Sequence, residues 1–163
     1  MIVFAWLFAS IGYCADWPTH LHDNQRSSRT SAELASKLEI QWQVKLPTPQ
    51  PAWPPPARQD FWHRKVNLRP RIVHDRANHL AVAFGKLVVG SSADDCVRGF
   101  DAGSGELLWT VRAEAPVRLA PSIWSADDAK ENALVVFAAD DGYVYGVNLE
   151  SGDLLWKTRP DQV

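Results

Sequence analysis

Few residues of this 163-residue chain are spaced for chemistry. His20 and His22, with Asp23 next to the second, come nearest to a metal-ligand set. On an extended strand, imidazoles at i and i+2 face the same side, as two ligands of one ion must. The alternative is a polar surface loop near the mature N-terminus. His63, His74 and His79 are scattered, without ligand spacing. The acidic pairs Asp94-Asp95, Asp127-Asp128 and Asp140-Asp141 offer the oxygen donors that calcium takes. Asp94 and Asp141, however, stand before turns of the same kind, where Asp side chains accept hydrogen bonds from local amides, and turn structure is the expectation. Arg69, Arg71, Asp75 and Arg76 read as a solvated connector, and Arg118 as one half of a structural ion pair. There is no nucleophile–base pairing, phosphate loop or zinc spacing, so the sequence nominates no catalytic residue and no metal site. A net charge of −2 with the two signs interspersed offers no basic stripe for nucleic acid.

The elements that position these side chains are repeated. Residues Leu87–Arg112 reappear without a gap as Leu134–Arg159, at a shift of 47 set by Trp109 and Trp156. Twelve of the 26 aligned pairs are identical. Self-similarity of this kind marks a unit that buries its apolar faces only against copies of itself.

Each unit reads as strands joined by tight turns. In the second copy, Leu134–Ala139 is an apolar, β-branched run, and Asp141-Gly142 is a hairpin signal. Residues Tyr143–Asn148 form a second run; Ser151-Gly152-Asp153 make a turn before a third strand, Leu154–Thr158. Val117–Trp124 supplies a fourth, and Pro121 places it at an edge or a bulge. No segment of 87–159 has helical apolar periodicity. A parallel solenoid fits less well, because its coils run about 20–29 residues. The expectation is all-β: a partial propeller of two four-stranded antiparallel blades plus a leading strand, with an irregular Pro-rich N-terminal segment. Gly105 and Gly152 are expected at φ > 0 in turns. Gly99 and Gly146, inside strands, are expected to leave room for the tryptophan of a neighbouring blade.

These residues resemble the tryptophan-docking motif of pyrroloquinoline-quinone-type (PQQ-type) repeats: a small residue, Asp, Thr-Gly-Lys/Glu, two apolar residues and Trp. The first copy carries Gly99, Asp101, Gly105 and Trp109; the second carries Gly146, Asn148, Gly152 and Trp156. The resemblance implies a β-propeller of the quinoprotein dehydrogenase-like superfamily in which each Trp packs between adjacent blades. It departs mildly, with Gly for Ala, Ser for Thr and Asn148 for Asp. It extends weakly to Leu38–Val44, as the last strand of a degenerate preceding blade.

The resulting division is a candidate signal peptide at 1–14, a lead-in at 15–37, the degenerate-blade strand at 38–46, a Pro-rich insertion at 47–77, full blades at 78–112 and 113–159, and an end at 160–163. Met1–Tyr13 is apolar but too short to span a bilayer, and no basic residue precedes it. Cleavage after Cys14 opens the mature chain at Ala15-Asp16-Trp17; lipid on Cys14 is the alternative and the one route to a membrane. Cys96 then remains, as a buried small hydrophobe. Six prolines lie within 47–57, flanked or punctuated by Trp53 and Trp62. They read as an extended strap against the propeller. A ligand for a proline-binding module is the sharper alternative. Trp42 to Trp109 spans 67 residues against the repeat of 47, so about 20 residues are inserted. Thr30–Lys37 reads as a short helix or a disordered lead-in.

Known propellers carry about four to eight blades. Two blades cannot close such a ring, so the expectation is the N-terminal part of a longer chain, with exposed sheet surface prone to self-association. The expected role is an exported, periplasmic or extracellular scaffold whose partner is another protein or the missing blades of its own chain. The resemblance also allows a piece of a quinone-dependent alcohol or sugar dehydrogenase using PQQ and calcium. Such enzymes commonly carry an adjacent Cys-Cys pair, which this chain lacks, and no cofactor ligand is matched here.

Overall fold

A computed structural model describes residues 15–34, 36–48, 65–66, 78–126, 129–159 and 161. The candidate signal with Cys14, most of the Pro-rich insertion with Trp53, Trp62, His63 and His74, the Arg69–Arg76 connector and Asp127-Asp128 lie outside them. Two four-stranded antiparallel sheets follow one another along the chain. The first is β1 (Leu80–Ala83), β2 (Lys86–Gly90), β3 (Cys96–Asp101) and β4 (Leu107–Arg112); the second is β5 (Ser122–Trp124), β6 (Leu134–Ala138), β7 (Val144–Asn148) and β8 (Leu154–Thr158). Each is a meander, with its strands in chain order.

The sequence repeat is a structural repeat down to its irregularities. The β3–β4 ladder slips between Gly99 and Phe100, and the β7–β8 ladder slips between Gly146 and Val147, 47 residues on. In both sheets the slip sets the glycine opposite a tryptophan, Gly99 with Trp109 and Gly146 with Trp156. The β-branched runs supply the interior: Val88, Val97, Val135, Val147 and Leu149 are fully buried. Cys96 is buried among them as a free thiol, and burial pushes its pKa up.

Two expected strands come out differently. The run Val117–Trp124 is paired only over Ser122–Trp124, at the edge of its sheet. Pro121 has no N–H to donate, and the residues before it are held by other partners: Val117 donates to Ser91 O, and Pro116 O accepts from Asp140. Residues 38–46 form no strand. With no described strand beside them to supply ladder partners, Leu38 and Ile40 lie 73% and 85% exposed. Thr30–Lys37 shows no helix over its described residues.

The opening segment is stitched across the free edges of both sheets. Trp17 and Val82 of β1 exchange two backbone hydrogen bonds at 2.6 and 2.9 Å. One residue on, Pro18 O accepts from Ile123 of β5 at 2.7 Å, and the Thr19 and Ser122 hydroxyls meet at 2.8 Å. Pro18 suits this place, because a free edge needs only its carbonyl.

Candidate functional site

The eight repeat positions form a device that joins one sheet to the next. It begins with a side-chain turn. Asp101 Oδ1 accepts from the amides of Gly103 and Ser104 and from the Ser104 hydroxyl. Asn148 Oδ1 does the same for Glu150, Ser151 and the Ser151 hydroxyl. The Ser104 amide and hydroxyl, then the Gly103 amide, hold the Asp101 carboxyl below its usual range. One acceptor oxygen makes all three hydrogen bonds, so the Asn148 amide oxygen makes the same set. The turn closes as Gly105 N–H donates to Asp101 O and Gly152 N–H to Asn148 O. Both glycines sit in the left-handed region, at φ +75° and +76°.

The turn glycine is also a floor for an indole. A methyl group placed on Gly152 would come within 2.8 Å of Trp109 Cγ. Trp109 reaches it from the first sheet, and its Nε1–H donates to Leu149 O at 2.8 Å. The expectation for Gly99 and Gly146 is corrected here: neither receives a neighbouring blade's tryptophan. Trp109 covers Gly99 and Trp156 covers Gly146, each within its own sheet and too close to admit a methyl group. Each indole thus lies on its own strand glycine, and the turn glycine belongs to the following sheet.

Trp42 repeats the relation without a sheet of its own. Its Nε1–H donates to Ala102 O at 3.0 Å, and a methyl group on Gly105 would lie 2.6 Å from Trp42 Cδ2. Ala102 and Gly105 are the residues 47 before Leu149 and Gly152. Trp156 has no such receiver among the described residues and is 40% exposed, against 7% for Trp109.

Charged groups reinforce the joint. Lys86 pairs with Glu150 at 3.4 Å across the two sheets. The linker after β4 is pinned to the β6–β7 hairpin, where Asp141 accepts from the Glu114 and Tyr143 amides and from the Tyr145 hydroxyl. Burial alone would raise the Asp141 carboxyl, but the Tyr145 hydroxyl, those amides and Arg159 together hold it below its usual range. Burial and the Asp141 carboxylate push Tyr145 up to about 12. Arg118 pairs with Asp140 at 2.6 Å, as the sequence implied. Asp94 differs from its repeat partner: a bidentate Arg98 guanidinium holds its carboxyl low, in place of a local amide.

The histidines separate. Residues 19–22 turn back on themselves, with Leu21 at φ 61° and His22 at φ 82°, so the extended strand that would align the two imidazoles does not form. His22 packs its ring edge-on to Trp17, while His20 meets His79. Asp23 is turned to the Ser27 hydroxyl and amide, which lower it to about 2. Among the described residues no three His, Cys, Asp or Glu side chains converge on a common point. A hollow of about 600 Å³ lies between the opening segment and the strand ends, lined by residues including Asp16, His22, Phe84 and Trp124.

No curated protein matches the chain. Solved structures do. BamB from Moraxella catarrhalis is similar at 19% identity and TM-score 0.39, over 46% of this chain and 20% of that one. A europium-containing methanol dehydrogenase is similar at 22% identity and TM-score 0.40, over 48% and 14%. The computationally designed Ika8 protein is similar at 22% identity and TM-score 0.41, over 55% and 26%. The chain spans about a fifth of the BamB chain. The family model described as outer membrane protein assembly factor BamB matches residues 39–162, most of the sequence. This chain is a PQQ-like β-propeller repeat protein and belongs to that family.

Proposed function

We propose that the chain is part of an exported, non-catalytic propeller that serves as a scaffold in outer-membrane protein assembly, holding another protein rather than turning over a substrate. Family membership over residues 39–162 carries this reading. The side chains with the greatest chemical potential support it, because they are spent inside the fold. Asp94, Asp101 and Asp141 are committed to Arg98, a tight turn and the linker. Export would place the protein in the periplasm or outside the cell, with another protein or the missing blades of its own chain as partner and a membrane contact only through lipid on Cys14. Loops and the insertion at 47–77 are the surfaces that a repeat scaffold offers to a partner.

Two arms test this. Removing the gene from its native host should lower the protein content of the outer membrane. Purified protein given the quinone and calcium should show neither cofactor absorbance nor dye reduction. Robust turnover, with outer-membrane content unchanged, would overturn the scaffold and favour the dehydrogenase that the sequence resemblance also allows.

A further inference from the structure

We propose that the hollow of about 600 Å³ beside the opening segment binds a guanidinium cation, the arginine side chain of an extended peptide. Its size is that of a small-ligand pocket. Its walls carry two carboxylates, Asp16 and Asp23, and two aromatic side chains, Phe84 and Trp124. Among the described residues no lysine or arginine lines it. Arg26, close to Asp23 in sequence, lines a second hollow instead, with His20 and His79. The larger hollow is thus left negative, and a cation complements it. Aromatic faces beside a carboxylate suit a guanidinium in particular. It is planar, weakly hydrated, stacks on rings and forks its N–H groups onto a carboxylate, whereas an ammonium is a compact, strongly hydrated charge.

The walls are held in place by the fold itself. They come from the opening segment, the β1–β2 turn and β5. The Thr19–Ser122 hydroxyl pair and the hydrogen bond from Ile123 N–H to Pro18 O fix the opening segment against β5. The Phe84 amide donates to Asp16 Oδ2 at 3.5 Å, a long bond that ties the turn to one carboxylate. The Ser27 amide and hydroxyl hold the other, Asp23. Neither aromatic residue is what its place in the fold favours. Phe84 and Gly85 form a two-residue hairpin turn at φ 52° and 71°, where asparagine or aspartate usually precedes glycine. Trp124 ends an edge strand and is 54% exposed, so packing within the sheet does not account for a ring of that size. A flat cation against the two rings gives both a partner. The peptide as its source rests on the scaffold reading above; the guanidinium chemistry stands without it.

Titration of the 163-residue chain with acetyl-Gly-Arg-Gly-amide, followed by nuclear magnetic resonance at the Trp124 indole N–H, tests this. The tripeptide should shift that signal saturably. Its citrulline counterpart has the same shape without the charge and should bind at least about ten-fold more weakly. Trp124→Ala, read at the Ser125 amide, should weaken binding at least about three-fold. Asp16→Asn should weaken it about two- to five-fold. Both variants should keep the sheet signal in circular dichroism; should Trp124→Ala lose it, Asp16→Asn decides alone. The proposal is overturned by an absent or unsaturable shift, by equal binding of the citrulline peptide, or by wild-type affinity in Asp16→Asn. Tighter binding of cellobiose than of the tripeptide assigns the indole to a sugar and also overturns it. Free arginine brings a carboxylate that Asp16 and Asp23 repel, so it should bind more weakly; equal binding overturns the peptide as the source. Outer-membrane protein content is measured separately, so the site can fail while the scaffold stands, and the reverse.

Discussion

Trp109 donates its indole N–H to Leu149 O at 2.8 Å, so a side chain of one sheet completes the backbone hydrogen bonding of the next. Leu149 is itself fully buried, which leaves that carbonyl no water to turn to. Trp109→Ala should therefore cost about 3–5 kcal/mol, as the removal of a large buried ring does. Trp109→Phe should cost about 1–3 kcal/mol, for the unsatisfied carbonyl and the smaller ring. Trp156→Ala, its repeat partner at 40% exposure, should cost about 1 kcal/mol or less. Urea unfolding midpoints of the three variants check the order.

The glycines separate backbone strain from contact. Gly142 and Gly152 both lie at positive φ, but a methyl group on Gly142 meets nothing within 4 Å, whereas on Gly152 it strikes Trp109. Gly142→Ala should cost about 1–2 kcal/mol, the left-handed penalty alone. Gly152→Ala should cost clearly more and should redden Trp109 fluorescence as the ring is lifted toward water. Equal losses would mean that the indole is not seated on Gly152.

Asp101 supplies an acceptor, not a charge. Asp101→Asn should leave the unfolding midpoint in place, as Asn148 does in the second unit. Asp101→Ala should lower it, because the Gly103 and Ser104 amides lose their partner. A loss with Asn as large as with Ala would point to a role for the carboxylate itself.

Tyr145 gives an alkaline signature. Its folded pKa, about 12, lies above the ordinary value of 10.0. A group raised on folding contributes stability that is fully present below pH 10 and is lost as pH rises toward 12. Tyr145→Phe should flatten that part of the stability–pH curve relative to wild type. Ultraviolet titration of the phenolate should find one tyrosine ionising late.

Much of this architecture was legible in the residues. The shift of 47 carried over to the strand registers, the bulges and the side-chain turns. The strand Leu154–Thr158 lies where its turn signals put it. What could not be read has physical reasons. A tryptophan and a strand glycine look alike whether they meet within a sheet or between sheets; only the register slip at Gly99 and Gly146 decides it. The turn glycine four residues before each Trp carried the missing signal, since a positive φ and a bare Cα serve a close approach as well as a turn. Val117–Pro121 reads as strand because most of its residues are apolar, but the Val117 amide is taken by Ser91 O and Pro121 has no N–H to give a ladder. The stitch of Trp17 and Pro18 onto β1 and β5 rests on three backbone hydrogen bonds, too few to leave a periodic pattern. His20 and His22 misled because spacing implies alignment only on an extended backbone, and positive φ at Leu21 and His22 breaks it.

The central claim is that successive units are joined by an indole held in the following unit's glycine turn. Hydrogen exchange at the indole N–H groups tests it most directly, with the eight tryptophans assigned by single Trp→Phe substitution. Trp109 Nε1–H should exchange only with unfolding of the sheet pair, while Trp156 Nε1–H should exchange at close to the solvent rate. Equal, fast exchange at both positions would contradict the account.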